Sequence, residues 1–186
     1  MWYTFIMKQG VIKLFLALAI VVLTNSQTTS IVRAQEVVIT GENVEYMLEY
    51  PGLLPDHPLY MLKNIRDRVT FFLNRDYIKK AELLLLYSDK KIHAATLLSQ
   101  KGKWQLATQT LIESERMFAD IPEHVITAKK QGTRAPEALS LDLKLSNQKH
   151  RQIIETFLKE APGGERAEIE NALRINLKIK QDLLTL

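Results

Sequence analysis

From residue 56 to the C-terminus, apolar side chains return at steps of three and four, the spacing of helices that bury one face. The pattern predicts a first helix over 58–74, capped by Asp56, with Pro58 tolerated because the N–H groups of a first turn lack helical partners anyway. Its stripe of Leu59, Leu62, Ile65, Val69, Phe72 and Leu73 is expected to turn inward. Asp76 is placed to cap a second helix running to about residue 100, with Ala81, Leu85, Ser88, Ile92 and Ala95 as its seam. After the short break Lys101-Gly102-Lys103, a third helix starts near Trp104 and sends Ala107, Leu111 and Phe118 inward. Ile121-Pro122 should kink or restart it, and Gly132 should end it. A fourth helix follows Pro136 through Leu139, Leu143, Ser146, His150, Ile153 and Phe157, until Pro162-Gly163-Gly164 stops it. The last, over 165–184, repeats the pattern through Ile169, Ala172, Asn176, Ile179 and Leu183. Short connections between amphipathic helices favour antiparallel neighbours. The expected fold is therefore all-α: an antiparallel bundle of about five helices over 58–186, preceded by an extended N-terminal arm.

That arm, residues 35–57, has a different texture. Residues 35–56 carry five acids (Glu36, Glu42, Glu45, Glu49, Asp56) and no Lys or Arg. Val44, Tyr46, Leu48 and Tyr50 alternate with Glu45, Met47 and Glu49, a period of two that gives an extended segment one sticky face. Pro51-Gly52 and Leu54-Pro55 then forbid helix. Too short for a sheet of its own, the arm is expected to lie across the domain.

The first 34 residues read as an address. Lys8 and Lys13 precede an apolar run over 14–23, and Val32-Arg33-Ala34 ends the segment as a signal peptidase requires, placing the cut between Ala34 and Gln35. The rival is a retained membrane anchor. A helix of those ten residues reaches about 15 Å and one from Val11 about 20 Å, short of the roughly 30 Å of a hydrocarbon core. Cleavage makes the domain secreted, periplasmic or otherwise extracytoplasmic; an uncut leader would tether it to the membrane.

Composition shifts once the leader is removed. Lys8, Lys13 and Arg33 leave with it and no acid does, so 25 basic residues fall to 22 against 21 acidic, a net of +1. Bulk charge then gives no argument for nucleic acid. With no cysteine, there is neither a disulfide framework nor a lipid-anchored cysteine, and the domain must hold itself by packing. About 150 residues suffice for one such core.

Residues 50–69, YPGLLPDHPLYMLKNIRDRV, carry a resemblance. They are similar to the Leu-Pro-Asp/Gly-x-Pro-x-Tyr-x-x-Lys opening of a family of exported bacterial helical domains of unknown function. The Lys101-Gly102-Lys103-Trp104 turn with Ala107 and Leu111, and the series His150, Ile153, Phe157, Ala161-Pro162, also resemble that family. The resemblance implies an all-helical fold and an extracytoplasmic address, and no activity. Read physically, Pro51, Pro55 and Pro58 make a rigid lead-in or a docking edge for a partner.

Catalytic chemistry has no motif to rest on. His57, His93, His124 and His150 are dispersed, with no pair at helical ligand spacing and no cysteine to complete a zinc set, so neither metal nor cofactor is expected. His150, on the apolar stripe of its helix, reads as a hydrogen-bonded core histidine. No nucleophile elbow or phosphate-binding glycine loop is present. Glu113/Glu115 and Glu165/Glu168/Glu170, with Arg116, Arg166 and Arg174 nearby, read as solvated faces with partners one turn away.

Two features point to a partner instead. Residues 61–80 hold Lys63, Arg66, Arg68, Arg75, Lys79 and Lys80 against Asp67 and Asp76, a local +4. The stretch is either an electrostatic bed for the acidic arm or a surface for an anionic envelope component. Tyr60 and Phe71 fall on nearly one side of the first helix, away from its apolar stripe. Either that helix packs on two sides or an aromatic patch faces a partner, with the arm as its cover. Candidate partner-binding residues are therefore Tyr60, Lys63, Arg66, Arg68 and Phe71. The leading expectation is an exported, non-catalytic helical domain that binds or scaffolds a protein or anionic envelope partner, touching membrane only through the leader or by surface association. A periplasmic metal or stress sensor of helical-hairpin type is the alternative, and a hydrolase a third.

Overall fold

The structure, a computed structural model, describes residues 44–186, all within one unit of the chain that spans 38–186. The leader and the Ala34/Gln35 junction lie outside the described residues. Among the described residues six α-helices follow one another: α1 Tyr60–Leu73, α2 Tyr77–Gln100, α3 Trp104–Ala119, α4 Ile121–Lys130, α5 Glu137–Glu160 and α6 Arg166–Leu183. A 3-10 turn, Gly163–Glu165, precedes the last. The third predicted helix restarts after Asp120, the restart expected at Ile121-Pro122, with Pro122 in the first turn of α4.

Local chemistry sets the ends. Oδ1 of Asp76 accepts from the N–H groups of Ile78 and Lys79 at 2.7 and 3.2 Å, the side-chain cap expected of it. Gly102, at φ 73°, follows α2, and Lys103 N–H donates to Leu98 C=O while Gly102 N–H donates to Ser99 C=O. Gly132, at φ 86°, ends α4 with the same paired bonds from Thr133 to Ala128 and from Gly132 to Lys129. Both are Schellman endings, which need a left-handed residue. Asp56, by contrast, does not cap α1. That role falls to Leu59, which has no side-chain cap bond, while Oδ2 of Asp56 reaches Lys103 at 2.8 Å and Lys101 at 3.2 Å.

The bundle is two hairpins, α2–α3 and α5–α6, packed so that α3 meets α6 and α2 meets α5, with α4 laid against α2. Its apolar core is in two pieces. One joins the start of α2 (Ala81, Leu85) to Phe118, Ile121, Leu143 and Ile179. The other joins the end of α2 (Ala95, Leu98) to Ala107, Leu111, Ile154, Phe157 and Ile169. That pairing makes the helices of each hairpin antiparallel and sets α2 alongside α5. Every stripe residue predicted for α2, α3 and α6 is buried, as are those of α5 apart from half-buried Ile153.

α1 corrects the prediction. None of its residues is buried, and Leu62, Ile65, Val69, Phe72 and Leu73 point outward. The other side meets the body: Phe71 stacks edge-on against His124 with centroids 5.6 Å apart, and Lys80 Nζ stands 5.2 Å from its ring. Lys91 Nζ donates to the Tyr60 hydroxyl at 3.3 Å. These aromatic and cationic contacts decide which side of α1 faces the bundle.

The arm is irregular over 44–57, with Val44, Tyr46 and Leu48 half-buried and Glu45, Met47 and Glu49 exposed; the predicted alternation stops there, because Tyr50, expected on the same face, is exposed. It runs along α2 rather than over Tyr60 and Phe71. Tyr46 reaches Asp89, the Glu49 carbonyl meets Nδ1 of His93 at 3.1 Å, and Lys63 donates to the Pro51 carbonyl at 2.9 Å.

Candidate functional site

Because α1 meets the body through long polar and aromatic side chains, it stands away from it and leaves a groove of about 1160 Å³ over α2, α3 and α6. Four of the five candidate partner-binding residues line it: Tyr60, Lys63, Arg68 and Phe71. Arg66 does not; it lies on the outer flank of α1, paired with Asp67 at 2.8 Å. The remaining cations come from other helices: Lys90 and Lys91 from α2, Arg116 from α3, Arg174 and Lys178 from α6. Against these seven stand Asp67, Glu113, Asp120 and Asp182, an excess of three positive charges. Glu113 is already engaged by Lys91 at 2.6 Å. Tyr87 and Phe72 add aromatic surface to Tyr60 and Phe71.

The surroundings tune these charges. Burial depresses the pKa of Lys63, aided by the nearby cations Lys90 and Lys91. For Lys91 burial pulls the same way and is the largest single influence, but the hydrogen bonds and charges of Glu113 and Tyr60 together outweigh it and hold the ammonium above its ordinary value. Asp120 is pushed up by burial. Cationic walls with aromatic patches suit an anionic ligand with apolar parts. The five cations from α2, α3 and α6 escaped sequence reasoning because residues from three helices meet only once those helices have packed.

A second constellation lies in the core, between its two apolar pieces. His150 is fully buried, with Nδ1 2.7 Å from Oε1 of Glu115 and Nε2 3.0 Å from Oδ1 of Asp89. Ser146 donates to the same Asp89 oxygen at 2.5 Å, and Tyr46 donates to Oδ2 at 2.6 Å. Asn176 donates to Oε2 of Glu115 at 3.1 Å, and Asn147 donates to the Asn176 carbonyl at 3.2 Å. The core reading of His150 therefore agrees with its position. The reading of Glu115 as a solvated residue does not: it is fully buried, whereas Glu113, two residues away, is exposed. The pair Arg166–Glu170, at 3.1 Å, is the expected surface contact one turn apart.

Burial alone would depress the imidazole pKa. The Glu115 charge and the hydrogen bonds to Asp89 and Glu115 more than offset this and hold it at about 9. The ring is thus an imidazolium donating from both nitrogens, a clamp from α5 onto carboxylates of α2 and α3 that joins three helices. Among the described residues no group of three His, Asp or Glu side chains is arranged to hold a metal ion. The clamp does not open on the groove; none of its members is in the groove lining.

An all-α bundle with a cationic groove on its flank and a charged layer through its core defines the class. Residues 52–164 match the family described as Domain of unknown function (DUF5667), and the chain belongs to that family. The match takes in the lead-in, α1 to α5, and the clamp residues Asp89, Glu115 and His150. No curated protein and no solved structure matches the chain.

Proposed function

We propose that the protein is an exported, non-catalytic binding domain that holds an anionic partner of the cell envelope or extracellular space in the groove beneath α1. The observation that carries this reading is the groove lining, seven basic side chains against four acidic with aromatic rings among them. Export rests on the leader over 1–34 and the Ala34/Gln35 junction. A binding role rather than catalysis is supported by the clamp, whose histidine and carboxylates are closed into the core.

The test uses the cations of the bundle side. Lys90→Glu, Arg116→Glu and Lys178→Glu together should lower the affinity for a labelled acidic, tyrosine-containing peptide at least tenfold in fluorescence anisotropy, with an unchanged circular dichroism spectrum. Binding of that peptide should also weaken with salt. Unaltered affinity in the triple variant removes the groove from the account. N-terminal sequencing of protein recovered from its host should begin at Gln35; a start at Met1 on cytosolic protein removes export.

A further inference from the structure

The outward side of α1 is a second surface, which shares only Phe72 and Arg68 with the rim of the groove. At about 100° per residue, Met61, Leu62, Ile65, Val69, Phe72 and Leu73 occupy one continuous arc of about 120°. Each of the six is between 48 and 81 % exposed. No polar residue interrupts that arc, and its two edges are Arg66 and Arg68, both exposed. Asp67, the one acid of α1, turns the other way into the groove. A water-facing helix has this pattern inverted, with its apolar side against the core.

Charge chooses the occupant. A second copy of this chain would pair antiparallel about the middle of α1 and bring Arg66 and Arg68 of both copies together; the one acid of α1, Asp67, offsets only its own Arg66 at 2.8 Å and leaves Arg68 facing like charge, which is unfavourable. An anionic lipid surface satisfies both features at once: the acyl boundary takes the apolar arc, and the arginines reach up to phosphate groups on either side. α1 has 14 residues, about 21 Å, and no helix among the described residues is long and apolar enough to cross a membrane. It can lie in the interface and not span it. We propose that α1 is an interfacial helix whose outer arc inserts into the surface of an anionic lipid layer, while its inner side stays on the bundle.

The absence of cysteine makes the test clean. In the full chain, Ile65→Cys labelled with nitrobenzoxadiazole should shift its emission to the blue and brighten severalfold on phosphatidylglycerol-containing vesicles. It should respond little on pure phosphatidylcholine, and less in high salt. The same label at Glu155→Cys, exposed on α5, should stay unchanged. Adding Val69→Ser and Phe72→Ser should weaken the vesicle response roughly tenfold or more, with an unaltered melting curve because both side chains are solvent-facing. No response at position 65, or an equal response on neutral vesicles, overturns the proposal. A blue shift without vesicles overturns it too: one that grows with protein concentration assigns the arc to a second copy, and one unchanged by dilution assigns it to the leader of the same chain. Groove variants at Lys90, Arg116 and Lys178 should leave the lipid response intact, so failure of either reading is recognised separately.

Discussion

The Tyr46 phenol donates to one oxygen of Asp89 at 2.6 Å, while the other oxygen of that carboxylate meets His150 at 3.0 Å. One residue of α2 thus joins the arm to the centre of the bundle. Burial and the adjacent Asp89 charge push the Tyr46 pKa upward, so the phenol keeps its proton and remains a donor. The arm is held by its fit to a buried ion as well as by apolar contact.

Tyr46→Phe keeps the ring and removes the donor. A buried carboxylate oxygen losing a partner should lower stability by about 1–3 kcal/mol in urea denaturation. The arm should loosen more than the helices do, with faster amide exchange and proteolysis over 44–57. Equal protection of the arm in both proteins would show that the phenol does not anchor it.

The clamp makes stability depend on alkaline pH. The folded His150 pKa is raised from 6.5 to about 9, so its contribution is fully present below 6.5 and is lost as pH rises through 9. The urea midpoint should therefore fall between pH 7 and pH 10. The imidazole resonances should titrate near 9, in contrast to His124, whose pKa burial and Lys80 depress. Glu115→Gln removes the largest charge supporting the proton and should bring the His150 titration to lower pH. His150→Leu leaves two buried carboxylates without their cation and should cost roughly 3–5 kcal/mol at neutral pH.

Much of this layer was legible in the chain. Ser88, Ser146, His150 and Asn176 stand on the inward stripes of α2, α5 and α6, each where an apolar residue would otherwise sit. Glu115 and Asp89 occupy equivalent places, one turn from Leu111 and Leu85, yet acids on helices are so regularly solvated that spacing alone did not separate Glu115 from Glu113. What the chain does not carry is the vertical register that brings those polar positions to one level, since that depends on how the hairpins pack. The same limit applied to α1. Its periodicity identifies an apolar face without saying what that face meets, and the face is turned outward.

Asp56 joins the lead-in to the turn between α2 and α3 through Lys103 and Lys101. The Lys103 hydrogen bond, with help from Lys101, holds its pKa below the ordinary 3.8. A depressed carboxyl stabilises above its unfolded value, and that contribution is lost as pH falls through the lower folded value. Asp56→Asn should speed amide exchange over 52–60 at neutral pH, and wild type should approach the variant in strong acid. A wild type and variant that differ equally at every pH would place the effect elsewhere than in this ion pair.

Two phenylalanines test which way the helices face. Phe118 is fully enclosed between α3 and its neighbours and stacks edge-on against His150 at 5.3 Å, whereas Phe72 is 81 % exposed on the outer arc of α1. Phe118→Ala should destabilise by about 3–5 kcal/mol, through lost transfer energy and the cavity left behind. Phe72→Ala should change stability in aqueous solution by no more than about 0.5 kcal/mol, as for other solvent-facing substitutions. Had the α1 stripe been part of the core, the two losses would be of similar size. Urea midpoints for this pair, taken at equal protein concentration, therefore decide whether the apolar side of α1 faces water or the bundle.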